Sequence, residues 1–254
     1  MAQAILAPPP RPMAAARPVA ARGLSRVYRS RRGCFEVDLV VEAGEVLGLM
    51  GVNGSGKSTV LSVLSTAERA TAGEVRWFGG AARPGPGLRR RLGVMGDAPV
   101  HFDDLTGEQN AYFFARQYGL APDLAADRLE DLLRWSGLHQ SRDLRVAEYS
   151  LGMRRRLSII EALVHGPDLV LMDEPTLGLD HLGAADLAAR LREEAARGAA
   201  LVLSTNDAAL AERVCDRVLF LHAGRVVSTE LVGRAPLARL FRRATGTALP
   251  RFSA

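Results

Sequence analysis

Residues 51–59 read G-V-N-G-S-G-K-S-T, and these residue types at this spacing can bind a polyphosphate. Glycines let the backbone adopt conformations closed to other residues, so that successive N–H groups can turn inward around phosphate oxygens. Lys57 can reach the β- and γ-phosphates of a nucleotide, and the Ser58 hydroxyl can complete a Mg²⁺ shell. The predicted nucleotide-binding residues of this loop are Gly51, Val52, Asn53, Gly54, Ser55, Gly56, Lys57, Ser58 and Thr59.

The sequence on either side of the loop supports this prediction. Residues 45–50 form a mostly apolar run typical of a buried strand, and residues 60–64 can continue as a helix. A helix N-terminus adds unpaired N–H donors and the positive end of a dipole, and both favour an anion. A glycine turn that merely precedes a helix is the alternative, but the complete motif in this context favours nucleotide binding.

Lys57 is the single lysine among the chain's 33 lysine and arginine residues. All the other residues of this set are arginines. A compact ammonium on a flexible stem fits between phosphates where a planar guanidinium fork does not. The composition thus points to the same chemistry for Lys57 as the motif does.

A second chemical element follows the apolar residues 169–172, which predict a short buried strand ending at Asp173 and Glu174. Asp173 can hold Mg²⁺ through water beside Ser58. Glu174 would then face the γ-phosphate and polarise an attacking water as general base. A charged pair at a strand end is common by itself, but its position downstream of the glycine loop favours the catalytic interpretation.

The elements that must position these groups alternate between strand and helix. After the glycine loop, apolar runs predict strands at residues 92–95, 169–172, 200–203, 218–221 and 225–227. A helix with Leu187 and Leu191 inward is expected after Glu174, and another is expected over 208–214. This alternation predicts a parallel α/β core.

A smaller β layer is predicted on both sides of the glycine loop. Residues 23–28 and 35–41 have partly alternating polarity, as antiparallel strands do. Residues 74–78 end in two glycines and suggest a hairpin or an edge strand, and the glycine- and proline-rich residues 84–87 suggest a loop.

The sequence becomes helical in character between residues 106 and 165. Apolar side chains recur there at helical spacing, at Ala125, Leu129, Leu132 and Leu133 and again at Met153, Leu157, Ile160 and Val164. Because strand-rich stretches flank this block, it predicts an inserted helical subdomain. Residues 237–244 predict a basic amphipathic helix that either packs on the core or meets a membrane surface or a partner.

Composition limits the classes of protein. The net charge of +5 suits an anionic partner but supports one only weakly, because 28 acidic residues are interspersed. Cys34 and Cys215 lack metal-binding spacing, so two reduced structural cysteines of a cytoplasmic protein are expected. No apolar run approaches the roughly 18 residues of a membrane helix, so any spanning of a membrane would need another polypeptide.

Residues 149–153 read Y-S-L-G-M and precede a run of three arginines. This stretch resembles the signature motif, commonly L-S-G-G-Q, of ATP-binding cassette ATPases. The order of glycine loop, helical insert, signature, Asp-Glu and residues 175–180 (P-T-L-G-L-D) resembles that family from about residue 23 to residue 227. With residues 214–218 (V-C-D-R-V), the pattern is similar to ATP-binding subunits of drug, antibiotic or polysaccharide exporters.

The resemblance implies an α/β fold class: a P-loop NTPase core with a parallel sheet, an antiparallel β layer and an inserted helical subdomain at about 100–165. The expected nucleotide-binding domain covers residues 22–230. A flexible tail rich in Ala, Pro and Arg is predicted at 1–21, and a C-terminal tail containing the predicted helix at 231–254.

The resemblance also implies a head-to-tail dimer that binds ATP and Mg²⁺ between its subunits. Ser150 and Gly152 would contact the γ-phosphate of ATP bound to the partner's glycine loop, and Asp180 would cross the interface. Helix N-terminal donors aimed at an anion agree with this role. Tyr28 matches the aromatic residue that stacks on adenine in the family, although a tyrosine of a core strand is the alternative.

Asp97 and Asn206 depart from the family pattern near the γ-phosphate. Asp97 stands where the family has a glutamine, and a carboxylate can bind Mg²⁺ but cannot donate a hydrogen bond while ionised. Asn206 stands where the family has a histidine, and its NH₂ group can donate but cannot carry a proton or charge. We therefore expect intact ATP binding and slow hydrolysis. The predicted catalytic residues are Glu174, Asn206 and Asp97, and the predicted metal ligands are Ser58, Asp97 and Asp173.

These expectations favour the ATP-hydrolysing subunit of an export system. ATP would close a homo- or heterodimer at the inner face of the cell membrane, and residues 100–106 would couple it to a separate membrane-spanning subunit. One alternative is a soluble regulatory or nucleic-acid-associated cassette, but no basic and aromatic stripe supports nucleic acid as a partner. Another is a weakly active cassette paired with a more active one, which Asp97 and Asn206 leave open.

Overall fold

The computed structural model describes residues 17–80, 84–98 and 100–249. Most of the predicted N-terminal tail, residues 1–16, lies outside the described residues, as do residues 250–254 of the predicted C-terminal tail. Helices and two β-sheets make up most of the described chain, with helices packed on the larger sheet.

The strands of the described residues are β1 (Val19–Val27), β2 (Gly33–Val41), β3 (Val46–Met50), β4 (Ala72–Trp77), β5 (Leu92–Met95), β6 (Leu169–Asp173), β7 (Ala200–Thr205), β8 (Arg217–His222) and β9 (Arg225–Leu231). Six of them form the larger sheet in the order β5, β6, β7, β3, β8, β9. All neighbours in this sheet run parallel except β8 and β9. The predicted parallel α/β core is confirmed, and β3, β6 and β7 are apolar runs buried throughout.

The smaller sheet is antiparallel and has the order β2, β1, β4, which confirms the predicted β layer and makes β4 an edge strand. β1 begins at Val19, so the prediction of a flexible tail over residues 1–21 is wrong for residues 19–21. Val19 is fully buried and pairs with Val41 on one side and Trp77 on the other. These pairing partners are distant in sequence, and the local Ala- and Arg-rich composition therefore does not reveal the strand.

The α-helices of the described residues are α1 (Lys57–Leu64), α2 (Pro86–Arg89), α3 (Gly107–Gln117), α4 (Pro122–Trp135), α5 (Leu151–Leu163), α6 (His181–Ala196), α7 (Ala208–Val214) and α8 (Leu237–Thr245). The one-turn helix α2 corrects the prediction of a loop over residues 84–87. Pro86 stands at its first position, where a fixed φ angle and a missing N–H group favour a helix start.

The predicted helical insert contains α3, α4 and α5. The buried face of α4 consists of the four residues predicted from periodicity, Ala125, Leu129, Leu132 and Leu133. In the predicted stripe of α5, Leu157 and Ile160 are buried, and Met153 packs against the core while partly exposed. Thr106 starts α3 through a reciprocal capping box with Gln109, which fixes where the insert begins to be helical.

Apolar cores lie on both faces of the larger sheet. On one face, α1 packs between the two sheets beside Leu47 and Leu49 of β3. On the other face, side chains of α5, α6 and α7 pack together with strand residues. α8 packs against this second core through the buried side chains of Leu237 and Phe241. Of the uses considered for this basic amphipathic helix, the structure therefore shows packing on the core. Within the described ranges, no helix is long and apolar enough to cross a membrane.

Candidate nucleotide-binding site

The loop between β3 and α1 has a backbone that requires its glycines. Gly54 and Gly56 have φ angles of 79° and 102°, in the left-handed region, and Gly56 is the N-cap of α1. A Cβ atom on Gly51 would lie 2.4 Å from both Leu221 O and Ser55 Oγ. The first N–H groups of α1 have no intrahelical partners. The loop is therefore shaped to present N–H groups to an anion.

Lys57 is buried at the centre of the site. Its Nζ donates to Gly51 O at 2.7 Å and to Asn206 Oδ1 at 2.8 Å, and it lies 3.4 Å from Glu174 Oε1. Burial lowers the pKa of Lys57, and the Glu174 carboxylate opposes this effect. The predicted phosphate-binding cation thus lies within ion-pair distance of the predicted general base.

The carboxyl end of β6 places Asp173 and Glu174 beside the end of β7. Asp173 is buried, and one of its carboxylate oxygens accepts a short hydrogen bond from Ser204 Oγ. The Glu174 amide donates to Ser204 O at 3.1 Å and to Ser204 Oγ at 3.0 Å. Burial raises the pKa of Glu174, and Lys57 opposes this rise. A carboxylate with a raised pKa in this position can accept a proton from water.

Asn206 connects the end of β7 to the glycine loop. Its side-chain oxygen accepts from Lys57, and its Nδ2 donates to Asn53 Oδ1 at 2.8 Å. Its backbone N–H donates to Glu174 Oε2 at 3.3 Å. The structure therefore brings together four predicted residues, Asn53, Lys57, Glu174 and Asn206.

Asp97 is exposed just beyond β5 and is linked to the site through its main chain. Its carbonyl oxygen accepts from Arg155 Nη1 at 2.8 Å, and Arg155 Nη2 donates to the carbonyls of Asp173 and Glu174. Neither Arg155 nor Ser204 was assigned a site role from the sequence. Ser204 had a recognisable signal, because the polar residues after the apolar run 200–203 fall at a strand end beside β6.

Ser150, Gly152 and Asp180 form a separate group at two helix N-termini. Ser150 is the N-cap of α5, and its side chain accepts from Met153 N at 3.2 Å. Asp180 is the N-cap of α6 and accepts from Gly183 N at 2.7 Å. In the part of the chain that the structure describes, no hydrogen bond or ion pair joins Ser150, Gly152 or Asp180 to the glycine loop. The role of these three residues toward a partner's nucleotide stays a prediction.

Tyr28 lies half-buried in the turn between β1 and β2, with the Arg26 guanidinium 5.0 Å from its ring centroid. The same turn ends at Gly33, whose carbonyl oxygen would lie 2.8 Å from a Cβ atom on Gly56. The backbone of the predicted adenine-stacking turn therefore approaches the glycine loop closely.

The residues present fit a nucleotide with Mg²⁺. Ser58 is exposed in the first turn of α1, Thr59 follows it half-buried, and the buried Ser55 Oγ lacks a hydrogen-bond partner among the described residues. No group of three or more His, Cys, Asp or Glu side chains that could hold a metal occurs in the described ranges. Mg²⁺ needs no such cage when phosphates and water supply most ligands, so a hydroxyl and a carboxylate suffice.

The ABC transporter family pattern matches residues 34–177, which is more than half of the 254-residue chain. The matched span runs from β2 to just beyond Glu174 and includes the glycine loop and the signature stretch. The chain therefore belongs to the ABC transporter family, as an ATP-binding subunit.

Curated relatives are ATP-binding proteins of export systems. The chain is 36% identical over 208 residues to a fluoroquinolones export ATP-binding protein of Mycobacterium tuberculosis, covering 82% of this chain and 68% of that protein. It is 35% identical over 218 residues to the daunorubicin/doxorubicin resistance ATP-binding protein of Streptomyces peucetius, covering 85% and 66%. The chain thus spans about two thirds of the length of these relatives.

A solved structure of an ATP binding subunit of an ABC transporter has the same fold. It superimposes with a TM-score of 0.80 at 32% identity, covering 91% of this chain and 95% of that one. The P-loop NTPase fold class expected from the sequence is thereby confirmed.

Proposed function

We propose that this chain is the ATP-binding and ATP-hydrolysing subunit of an export system, acting as a dimer with a separate membrane-spanning partner. The observation that carries the proposal is the position of Lys57 Nζ. It lies inside the glycine loop and 3.4 Å from the carboxylate of Glu174. This arrangement places a phosphate-binding cation and a general base around one point, where the γ-phosphate would lie.

The residues of the site would have different roles in ATP hydrolysis. The loop N–H groups and Lys57 would hold the phosphates, and oxygens of ATP would replace Gly51 O and Asn206 Oδ1 as acceptors for Lys57. Ser58 and Asp173 would hold Mg²⁺, which neutralises charge on the phosphates. Glu174 would orient the attacking water and take its proton. Asn206 would then present its side chain to the γ-phosphate.

A second copy of the cassette would complete the site. Ser150 and Gly152 stand at the N-terminus of α5, which offers N–H donors and a positive dipole end to an anion on another subunit. Leu151 is 66% exposed and Leu182 is 75% exposed, beside Ser150 and Asp180 respectively. Apolar side chains exposed at two proposed contact points support an interface with a partner subunit.

A further exposed surface supports contact with the membrane partner. We call Val100, Phe102 and Phe113 the Phe102 patch. Val100 is 77% exposed, and the Phe102 and Phe113 rings pack edge to face with centroids 5.0 Å apart. Asn110 holds the Phe102 main chain, accepting from its N–H at 2.9 Å and donating to its carbonyl at 3.0 Å. Val100 and Phe102 lie on the predicted coupling segment 100–106, and Phe113 lies on α3, which follows it.

The cargo is proposed to be selected by the membrane partner. Relatives of this chain are named for fluoroquinolones, daunorubicin and Nod factor, which are chemically different molecules. A shared ATP-binding subunit with different cargoes is expected when the cargo does not contact that subunit. Association with the inner face of the cell membrane would then be indirect.

ATP turnover by the purified chain tests the proposal, alone and with the membrane protein encoded by a neighbouring gene. We expect Mg²⁺-dependent hydrolysis that Glu174→Gln abolishes while ATP binding persists and a dimer accumulates. Lys57→Arg should lose ATP affinity, because a guanidinium fork does not fit the space that the ammonium occupies. Arg197→Lys, an exposed exchange of the same two residue types, is the control. Wild-type turnover in the Glu174→Gln variant would overturn the assignment.

A further inference from the structure

Arg155 on α5 is a buried cation that the proposed mechanism does not use. Only 2% of the residue is exposed. Its Nη1 donates to Gly96 O at 3.3 Å and to Asp97 O at 2.8 Å. Its Nη2 donates to Asp173 O at 2.5 Å and to Glu174 O at 2.6 Å. One guanidinium group thus holds four main-chain carbonyls.

These four carbonyls belong to two parts of the candidate site. Asp173 ends β6 and Glu174 follows it, while Gly96 and Asp97 follow β5, which is the parallel neighbour of β6. The arginine itself comes from a third element, five residues beyond Ser150 on the same helix. Arg155 therefore joins the helix that faces the partner's nucleotide to the residues that face this subunit's own nucleotide.

The contact between Arg155 and the Glu174 carbonyl helps to hold an unusual backbone conformation at Glu174. Glu174 has a φ angle of 45°, in the left-handed region, and it precedes Pro175. A left-handed conformation at a residue other than glycine is strained and persists only where surrounding contacts impose it. Ser204 holds the amide side of Glu174, and Arg155 holds the carbonyl side. The direction in which the side chain of Glu174, the proposed general base, points depends on this backbone conformation.

The planar fork of arginine suits this position. Two terminal nitrogens, each with two N–H groups, can serve two pairs of carbonyls at once, whereas an ammonium is a single point. Burial lowers the pKa of Arg155, while the carboxylates of Asp97, Asp173 and Glu174 favour its charged form. Its Nε has no partner in the described part of the chain, so the contacts that hold it come from the two terminal nitrogens.

We propose that Arg155 is a positioning residue for ATP hydrolysis, which fixes Glu174 and Asp97 relative to each other and ties both to the helix that begins at Ser150. The inference rests on the proposed function. It adds that the element completing the partner's site also sets the geometry of this subunit's own general base.

Arg155→Gln tests the proposal, with Arg154→Gln as the matched control on the same helix, where the Arg154 guanidinium contacts Asp103. We expect the glutamine variant to lower kcat about 10²-fold, the loss typical of a misplaced catalytic group. KM for ATP and equilibrium ATP binding should change little, because Arg155 makes no contact with residues 51–59 among its hydrogen bonds. The fall in kcat without a matching change in KM is the result that a positioning role predicts.

Arg155→Lys is the second variant and retains the charge without the fork. It should recover only part of kcat, because one ammonium cannot hold both pairs of carbonyls. If Arg155→Gln does not fold, the kcat and KM of Arg155→Lys test the positioning role. A kcat equal to that of the Arg154→Gln control, or a loss of ATP binding in step with kcat, would overturn the positioning role. If the wild-type protein itself fails to hydrolyse ATP, the proposed function fails instead.

Discussion

Glu174 carries the pH dependence expected of this site. Its pKa is raised by burial above the ordinary 4.5, and Lys57 limits the rise. Only the ionised carboxylate can take a proton from water, so hydrolysis is lost as the pH falls through this raised pKa. The midpoint of the acid limb of kcat/KM should therefore lie above 4.5. Steady-state rates for Mg²⁺-ATP across pH measure it.

The control for this prediction is Glu148→Gln, which removes an exposed carboxylate outside the site. Its acid limb should coincide with that of the wild type. A wild-type midpoint at or below 4.5 would contradict the environment that the structure gives Glu174.

Asn206 is the residue expected to limit the rate. Its oxygen accepts from Lys57 and its nitrogen donates to Asn53, so both ends of the amide are engaged. A histidine at this position can carry a positive charge toward the γ-phosphate, which an amide cannot. Asn206→His should therefore raise kcat, and a single transition-state contact is worth about 10²-fold. Turnover assays at saturating ATP check this, and an unchanged kcat would show that Asn206 is not limiting.

At the residue scale, the sequence predicts the groups that are proposed to act directly and misses the groups that hold them. Lys57 and Glu174 are recognisable because their motifs are local in sequence. Arg155 is one of three consecutive arginines, and nothing local distinguishes it from its neighbours. Its role depends on three elements that meet only in the folded chain.

Among the elements, α5 has an N-cap residue, Ser150, with a structural role and a proposed functional role. Ser150 accepts from Met153 N as the N-cap, and the same residue is proposed to face a partner's γ-phosphate. Ser150→Asp separates these roles, because aspartate caps a helix as well as serine does. Thermal unfolding should stay unchanged, while the added negative charge should lower hydrolysis about 10²-fold, as loss of an oxyanion contact does.

Two comparison variants complete this prediction. Ser150→Ala should destabilise the fold by about 1 kcal/mol through loss of the cap. Thr106→Asp, at the N-cap of α3, should retain both stability and turnover in the isolated subunit. Wild-type hydrolysis by Ser150→Asp would remove Ser150 from the composite site.

The elements themselves are largely predictable, and the exceptions have physical causes. Apolar runs such as β6 and β7 are buried throughout, and strands of this kind can therefore be recognised from the sequence. α8 was predicted with several possible uses, and the buried Phe241 ring, packed edge to face on Phe220, shows which face binds the core. The start of β1 was missed because strand pairing, rather than local propensity, orders residues 19–21.

For the whole molecule, the central question is how closure of the proposed dimer would act on the proposed membrane partner. The Phe102 patch is held at one end of the segment that follows Asp97. Arg155 fixes the main chain of Asp97, and Asn110 fixes the main chain of Phe102. Arg154 of α5 also pairs with Asp103, next to Phe102, so a displacement of α5 on dimer closure would reach the segment that carries Phe102. This connection makes the patch a suitable surface for transmitting the motion.

Phe102→Asp tests that role at the level of the assembly. The Phe102 side chain is 47% exposed, so the isolated subunit should keep its thermal unfolding midpoint. Burying a carboxylate against an apolar partner surface should weaken the complex by about 2 kcal/mol, as loss of an interface anchor does. Co-purification with the membrane protein and its effect on ATPase turnover should both be lost. Leu124→Asp is the control, since Leu124 is 53% exposed on α4 and lies outside the patch. Wild-type association of Phe102→Asp, or an equal loss in Leu124→Asp, would show that the partner docks elsewhere.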